Sequence, residues 1–338
     1  AREGTAVGDG VAEMRHRVWA LMARLGGDRA GEIYTCKVPQ SMIDTTHLRR
    51  VEGESSGLAD IRIQQKLSDG VQKGDRAIYF RAGASGKTQP TPEDLLAIAT
   101  RRPTNFNISY PGLFPDGMDR DHGHSLSEFV RRVQDVCPMV SMDIHGFTQM
   151  DHIRPALSHV DLFNANLVEA ARVFLGEKVN AARDLSDADR GALQEKILSA
   201  IRPFLDQPTG RTRMFTITDA RGCFVILQSS QGGIQADDVP SPCAAIPAKD
   251  KTGAGDVRFG LQRLRIARER ANQWKEGRFD FRSATLAAQI GQIATTLHVQ
   301  GRRENALEGV TLTRLTRVAG GGEQFKTLRR LRTALLSA

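Results

Sequence analysis

The sequence predicts an α/β protein with a mainly parallel β-sheet covered by helices on both faces. Apolar strand-like runs at residues 139–143 and 160–163 alternate with helix-like segments at 125–136 and 150–157, an alternation typical of parallel sheets. The 338 residues, of which 40% are hydrophobic, are enough for a large core. No internal repeat or long linker divides the chain, so we expect a single domain over residues 1–338.

The N-terminal part of the chain predicts a helix, a turn and then short strands. Residues 11–25 have helical apolar spacing, with Val11, Met14, Val18, Met22 and Leu25 on one face. A turn follows at 26–32, and we expect any strand before it to be absent or very short. Helix-like residues then run from Gly31.

Residues 59–64 and 76–81 alternate apolar and polar side chains, as strands with one exposed face do. They predict a half-exposed hairpin with a hydrophilic connection at 67–75. The later Gly86-Lys87-Thr88 is similar to the end of a P-loop, but the first glycine of that motif would fall on Arg81. Thr91 and Pro92 instead predict the start of a helix that runs to residue 101.

Two histidines precede the helix at 125–136. His122 and His124 suggest a metal site, but we favour exposed loop histidines because no third ligand is evident. Ser125 and Glu128 have the spacing of a capping box at the start of this helix. A strand at 105–110 is expected before it.

The C-terminal half predicts a helix at 185–206, two strands and two further helices. Strands are expected at 213–218 and 223–227, and helices at 254–270 and 281–298. The last of these helices has unusually small residues, which would let it pack closely against its neighbours: Ala284, Ala287, Ala288, Gly291 and Ala294. A closing amphipathic helix is expected at 322–337.

Residues 250–260 combine three features that phosphoryl transfer requires. Gly253, Ala254 and Gly255 leave their backbone N–H groups accessible to a phosphate. Helical apolar spacing follows, so these residues would lie at a helix N-terminus, which attracts anions. Asp256 adds a carboxylate that can accept a proton from an attacking hydroxyl. The alternative is a glycine-rich loop that only turns the chain into a helix.

Composition excludes several other classes of protein. A formal net charge of +8 suits anionic ligands, but the basic residues are mostly scattered and aromatics are only 6%, so nucleic-acid binding has little support. No apolar run is long enough to span a membrane, and the first residues show no secretion signal. The widely spaced cysteines suggest free thiols. We expect a cytoplasmic protein.

The run Asp250-Lys-Thr-Gly-Ala-Gly-Asp256, with a helix behind it, resembles the C-terminal signature of the ribokinase-like (PfkB) family of carbohydrate and nucleoside kinases. It departs from the usual pattern at Lys251, and Arg258 stands where a small or aromatic residue is common. Residues 74–80 and the N-x-x-E motif at 166–169 extend the resemblance. It implies a three-layer α/β/α fold with a mainly parallel sheet and a small β lid formed mainly by residues 57–84.

The resemblance also implies roles for particular residues. Asp256 would be the base, with Gly253, Ala254 and Gly255 as the anion hole. Asn166 and Glu169 would position phosphates, and Glu169 would hold Mg²⁺ through water. The nucleotide contacts would be Thr218, Gly222 and Thr252, while Asp250 with Thr252 would hold a monovalent cation such as K⁺, as in some relatives.

The chain also departs from the family at several positions. Asp219 replaces a glycine of the nucleotide loop, where an acidic side chain is unfavourable unless it points away or meets a cation. His145 replaces an Asn, and residues 8–13 are a degraded version of the substrate motif. Arg81 would reach an acidic substrate, although an ordinary surface arginine is an equal alternative.

These expectations combine into one functional hypothesis. The protein would phosphorylate an alcohol group of a small sugar, sugar acid or nucleoside with ATP and Mg²⁺, without a nucleic-acid or membrane partner. A homodimer formed through the lid is a further expectation from the resemblance. The alternative is a catalytically impaired family member that binds a nucleotide or a protein partner.

Overall fold

The computed structural model of the chain describes residues 19–37, 43–63, 66–68, 71–73, 76–144, 148–179, 182, 185–206, 209–241, 254–275 and 278–300. Its strands are β1 (Trp19–Gly26), β2 (Ile43–Val51), β3 (Leu58–Ile63), β4 (Lys66–Ser68), β5 (Val71–Lys73), β6 (Arg76–Arg81), β7 (Phe106–Ser109), β8 (Val140–Asp143), β9 (Leu162–Asn166), β10 (Arg213–Thr218), β11 (Gly222–Gln228) and β12 (Ile234–Pro240). Its helices are α1 (Arg29–Lys37), α2 (Pro92–Arg101), α3 (His124–Val136), α4 (Met150–Ile153), α5 (Leu167–Ala170), α6 (Asp187–Leu205), α7 (Ala254–Lys275) and α8 (Phe281–Gln300).

The largest sheet has six strands in the order β12-β11-β10-β9-β8-β7. Strands β7, β8, β9 and β10 are parallel, whereas β11 and β12 continue the sheet in antiparallel fashion. The predicted mainly parallel sheet is confirmed. Because the parallel strands all end at the same edge, the side chains that follow them are brought together.

Helices cover both faces of this sheet. Along β9 the side chain of Leu162 joins one apolar cluster and that of Phe163 joins the other, as alternation along a strand requires. The Phe163 cluster includes Ile197 of α6, and the Leu162 cluster includes Phe259 of α7 and Ala287 of α8. The three-layer α/β/α arrangement is therefore confirmed.

The predicted helix over residues 11–25 is wrong where the structure describes it, because Trp19–Gly26 is a strand. This strand, β1, pairs in parallel with β2. Arg24 and Leu25 point to opposite sides of the strand and both are buried, so both of its faces are covered. A strand covered on both faces lacks the apolar and polar alternation by which a strand is recognised in sequence. A strand does precede the turn at 26–32, contrary to expectation, while residues 11–18 lie outside the described part.

A buried carboxylate connects these strands to the first long helix. Asp94 of α2 accepts hydrogen bonds from Arg24 (3.2 Å) and Arg49 (2.9 Å). It also forms the capping box of α2 with Thr91, which is the predicted N-cap. The segment Gly83–Lys87 is a short 3-10 turn, and several residues separate it from α2. The absence of a P-loop, in which the helix follows directly, is confirmed.

The predicted hairpin is present as the antiparallel pair β3 and β6. Its connection is more regular than expected, because β4 and β5 form a second antiparallel pair within it. Whether this hairpin acts as a lid stays a prediction.

The predicted capping box at Ser125 and Glu128 is wrong. Helix α3 begins one residue earlier, and the Asp121 carboxylate accepts hydrogen bonds from both the N–H (3.0 Å) and the hydroxyl (2.6 Å) of Ser125. Glu128 pairs with Arg131 and Arg132 instead. The Asp121 carboxylate, which lies just before the helix, takes the place of the predicted pairing between Ser125 and Glu128.

The described part of the chain contains no helix that is long and apolar enough to cross a membrane. Within the same residues, no three or more His, Cys, Asp or Glu side chains lie close enough together to hold a metal ion. Cys36, Cys137 and Cys223 are free thiols, as predicted.

Candidate active site

Polar side chains gather where β7 to β10 end and where α7 begins. Ligands of open α/β sheets bind at the carboxyl ends of the strands, so this edge is the expected position of a site. We call the following residues the edge cluster: Ser109, Tyr110, Asp143, Asn164, Asn166, Glu169, Thr218 and Asp256.

The start of α7 is open to solvent. Gly255 and Asp256 are exposed in its first turn, and Ala254 is half-buried. Beyond its own helix, a Cβ atom added at Gly255 would meet no atom of the described residues within 4 Å, so packing against this part of the chain does not require a glycine there. The open space beside a helix N-terminus suits an anion. Gly253, Thr252 and Asp250 lie outside the described residues.

Tyr110 contacts the predicted base directly, and sequence reasoning missed this contact. The phenol hydroxyl donates a hydrogen bond to Oδ1 of Asp256. Burial and the hydrogen bond to Asp256 raise the pKa of Tyr110 far above its usual value. No signal in the local sequence marks this pair, because Tyr110 follows β7 and Asp256 lies in α7.

Asp143 lies at the end of β8 and is buried. Its Oδ1 accepts hydrogen bonds from the Asn107 amide and the Ser109 hydroxyl, both at 3.1 Å. Burial raises the pKa of Asp143, although the hydrogen bond from Asn107 and the charge of Arg263 oppose that effect. The negative charge of Asp256 nearby raises it further. The charge of Asp256 therefore acts on Asp143 across the site.

Asn166 and Glu169 form a complete capping box at the start of α5. The Glu169 N–H donates to Asn166 Oδ1 (2.8 Å), and the Asn166 N–H donates to Glu169 Oε2 (3.0 Å). This helix-start geometry is the one that the N-x-x-E spacing predicts. Burial raises the pKa of Glu169 to about 7, against the hydrogen bonds from Asn166 and the charge of Arg258.

Arg258 is a buried cation beneath the edge cluster. Its Nη2 donates to Asn164 Oδ1 (2.6 Å), while its Nη1 is buried without a partner in the described structure. A Cβ at Gly291 of α8 would lie 2.9 Å from the Arg258 Cγ. The Arg258 carbonyl oxygen would lie even closer, at 2.8 Å, so the glycine allows α8 to pack closely against both the backbone and the side chain of Arg258. Burial lowers the pKa of Arg258, as expected for a cation in an apolar layer.

The turn between β10 and β11 contains the predicted nucleotide contacts Thr218 and Gly222. Asp219 in this turn meets a cation, because Arg190 of α6 donates to its carboxylate at 2.6 Å. Oδ1 of Asp219 also accepts the N–H groups of Arg221 (2.8 Å) and Gly222 (2.9 Å). Its charge is thus balanced within the protein, which removes the main objection to an acidic residue here.

Other candidate residues are distributed away from this edge. Arg81 is exposed at the end of β6, opposite Leu58 in the outer hairpin. His122 and His124 are exposed, as predicted, and His122 pairs with Asp151. His145, the segment 8–13 and the tail at 322–337 lie outside the described residues.

Comparisons with solved structures identify the architecture. Ribokinase from Giardia lamblia is 17% identical with a TM-score of 0.58, and the match covers 92% of this chain and 82% of that one. Ribokinase from Arabidopsis thaliana, complexed with ribose and ATP, is 15% identical with a TM-score of 0.59, and the match covers 90% of this chain and 82% of that one. The chain has the ribokinase fold. Fructokinase from Vibrio cholerae O395, with fructose, ADP and calcium ion bound, shares this fold at 14% identity and a TM-score of 0.58, covering 89% and 85%.

Sequence comparison alone does not reach this result. No family model matches the sequence, and no curated protein is similar to it. The ribokinase fold confirms the fold class implied by the resemblance of residues 250–256, even though identity is low throughout. The roles of individual residues stay predictions.

Proposed function

We propose that this protein transfers the γ-phosphoryl group of ATP to an alcohol group of a small sugar, sugar acid or nucleoside. The observation that carries the proposal is an exposed carboxylate, Asp256, in the first turn of a long helix at the carboxyl edge of parallel strands. Similar structures with this fold are ribokinases and fructokinases, some with a sugar and ATP or ADP bound.

Asp256 accepts the proton of the acceptor alcohol as its oxygen forms a bond to the γ-phosphorus. The bond from that phosphorus to the β-phosphate oxygen breaks, and ADP leaves. The N–H groups of Gly253, Ala254 and Gly255, with the positive end of the α7 dipole, stabilise the charge on the transferring group. Positioning and charge stabilisation supply most of the catalysis in this reaction class.

A Mg²⁺ ion fits the oxygen donors of Asn166 and Glu169. The raised pKa of Glu169 indicates a half-buried carboxylate whose charged form a cation would stabilise. Mg²⁺ keeps most of its waters, so both residues would hold it through water. When bound, it would neutralise charge on the phosphate oxygens. Asp250 and Thr252 are proposed to hold a monovalent cation.

The nucleotide is proposed to contact the turn at 218–222. Thr218 donates to the Ala165 carbonyl (3.3 Å), which fixes its position beside β9. Gly222 has no room for a side chain, since a Cβ would lie 2.6 Å from the Val239 carbonyl oxygen. We also propose that β3 to β6 form a lid within a single domain, through which a homodimer would form, and that Arg81 contributes to substrate binding.

The test combines calorimetry of ATP-Mg²⁺ binding with an ADP-release screen over ribose, fructose, sugar acids and nucleosides. We expect Asp256→Asn to lower kcat by about 10²–10⁴-fold while ATP affinity changes little. Asp135→Asn is the matched control, because Asp135 is exposed at the end of α3, just before the amino end of β8.

Two results would contradict this function. Full turnover in Asp256→Asn would exclude that carboxylate as the base. ATP binding without turnover on any alcohol would favour the alternative, a nucleotide-binding protein with impaired catalysis.

A further inference from the structure

The hydroxyl of Tyr110 lies where the acceptor alcohol of the proposed reaction would lie. The phenol O–H donates to Oδ1 of Asp256, which is the same hydrogen bond that an acceptor alcohol would donate to its base. Asp256 belongs to the first turn of α7, beside the N–H groups proposed to hold the γ-phosphate. An intramolecular hydroxyl therefore forms the hydrogen bond that the proposed reaction requires of its acceptor.

The backbone holds Tyr110 there in an uncommon conformation. Its φ is 61°, in the left-handed region that non-glycine residues rarely adopt. Its N–H donates to the Asp143 carbonyl at 2.9 Å. The next residues are fixed as well, because Thr148 donates to the Pro111 carbonyl (2.9 Å) and the Gly112 N–H donates to Asp119 (2.7 Å). Strained residues that neighbouring contacts hold in place cluster at functional sites.

Charges around the phenol keep it protonated until transfer. Asp143, Glu169 and Asp256 all raise the pKa of Tyr110, in addition to burial. A free phenolate is therefore disfavoured, and the hydroxyl needs a base to act as a nucleophile, as an aliphatic alcohol does. Asp256 is the carboxylate that receives its hydrogen bond.

We propose that, without an acceptor, this chain transfers the γ-phosphoryl group of ATP to the hydroxyl of its own Tyr110. The inference rests on the proposed function, because it uses the same base and the same nucleotide. The Tyr110 oxygen forms a bond to the γ-phosphorus, its proton passes to Asp256, and the bond to the β-phosphate oxygen breaks to release ADP. Each transfer consumes one ATP and needs no other reactant.

The experiment incubates the intact protein with ATP and Mg²⁺ in the absence of any sugar or nucleoside. Intact-mass spectrometry and peptide mapping then locate added phosphate. We expect up to one phosphoryl group per chain, at Tyr110, with none in Tyr110→Phe. Tyr79→Phe is the matched control and should retain the modification, since Tyr79 is 58% exposed on β6. Asp256→Asn should lower the initial rate by at least about 100-fold.

The outcomes separate this inference from the proposed function. Acceptor-dependent ADP release without phosphate on Tyr110 would overturn the inference and leave the proposed kinase activity intact. Phosphate on Tyr110 without turnover on any acceptor would support the inference and contradict sugar phosphorylation. A failure to bind ATP, or phosphate found only on other residues, would overturn the inference outright.

Discussion

Replacing Glu169 by Gln should stabilise the protein at neutral and alkaline pH. Burial raises the pKa of Glu169 from 4.5 to about 7, so its ionised form is unfavourable in the folded state. A difference of this size corresponds to about 3 kcal/mol of unfolding free energy once the group is fully ionised. Gln has nearly the same shape, and its amide oxygen can still accept the Asn166 N–H.

The pH dependence follows from which state binds the proton more tightly. Between pH 4.5 and about 7 the folded protein keeps a proton on Glu169 that the unfolded chain has lost. The free energy of unfolding of the wild-type chain therefore falls as pH rises through this range. The Glu169→Gln variant has no ionisable group at this position, so its stability does not fall for this reason. We expect the two proteins to be nearly equal at pH 4.5 and to differ by about 3 kcal/mol at pH 8.

Urea denaturation at several pH values between 4.5 and 8 measures this difference. Glu195→Gln is the control, because Glu195 is exposed on α6 and should show almost no change. Glu169→Gln should also bind ATP-Mg²⁺ more weakly, since the proposed ligand is lost. A variant that is less stable than wild type at pH 8, or a difference that does not change with pH, would refute the reasoning.

Two other predictions concern buried polar contacts. Asp219→Ala leaves the Arg190 guanidinium with one carboxylate fewer, so we expect the free energy of unfolding measured in urea to fall by about 3 kcal/mol. The control is Asp187→Ala, which should cost below about 1 kcal/mol because the Asp187 carboxylate is 94% exposed. Equal losses in the two variants would contradict this prediction. In alkaline absorbance titration, Tyr110 should ionise in a late step, well above the usual pH range of a phenol, because burial and the hydrogen bond to Asp256 raise its pKa. Asp256→Asn should move that late step to lower pH, and an unchanged step would exclude the contact.

Features set by neighbouring residues could be predicted from the sequence. Thr91 and Pro92 specify the start of α2 within one turn, and Asn166 with Glu169 does the same for α5. The alternation of helices and apolar strands likewise predicted the order from α3 to β10, because each segment carries its own periodicity. The glycine-rich motif predicted that α7 starts at residue 254, while the binding of a ligand at this end stays a prediction.

Features that depend on distant partners could not be predicted. The strand Trp19–Gly26 is specified by its pairing with β2, whereas its apolar residues also fit a helix. The exposed edge strand Ile234–Pro240 was missed, since its acidic residues have little strand preference and its pairing with β11 supplies the structure. The contact between Tyr110 and Asp256 belongs to the same class.

Arg258 shows why a departure from a motif has to be interpreted together with its surroundings. Beside a phosphate-binding turn, an arginine suggests a direct ligand for ATP. Its side chain instead points beneath the site to Asn164, which also accepts from the Thr216 hydroxyl (3.2 Å), and Gly291 supplies the room. Its charge favours the ionised form of Glu169. The arginine therefore supports the proposed Mg²⁺ ligand from below, while the glycine at 291 lets α8 approach the backbone of α7 at residue 258.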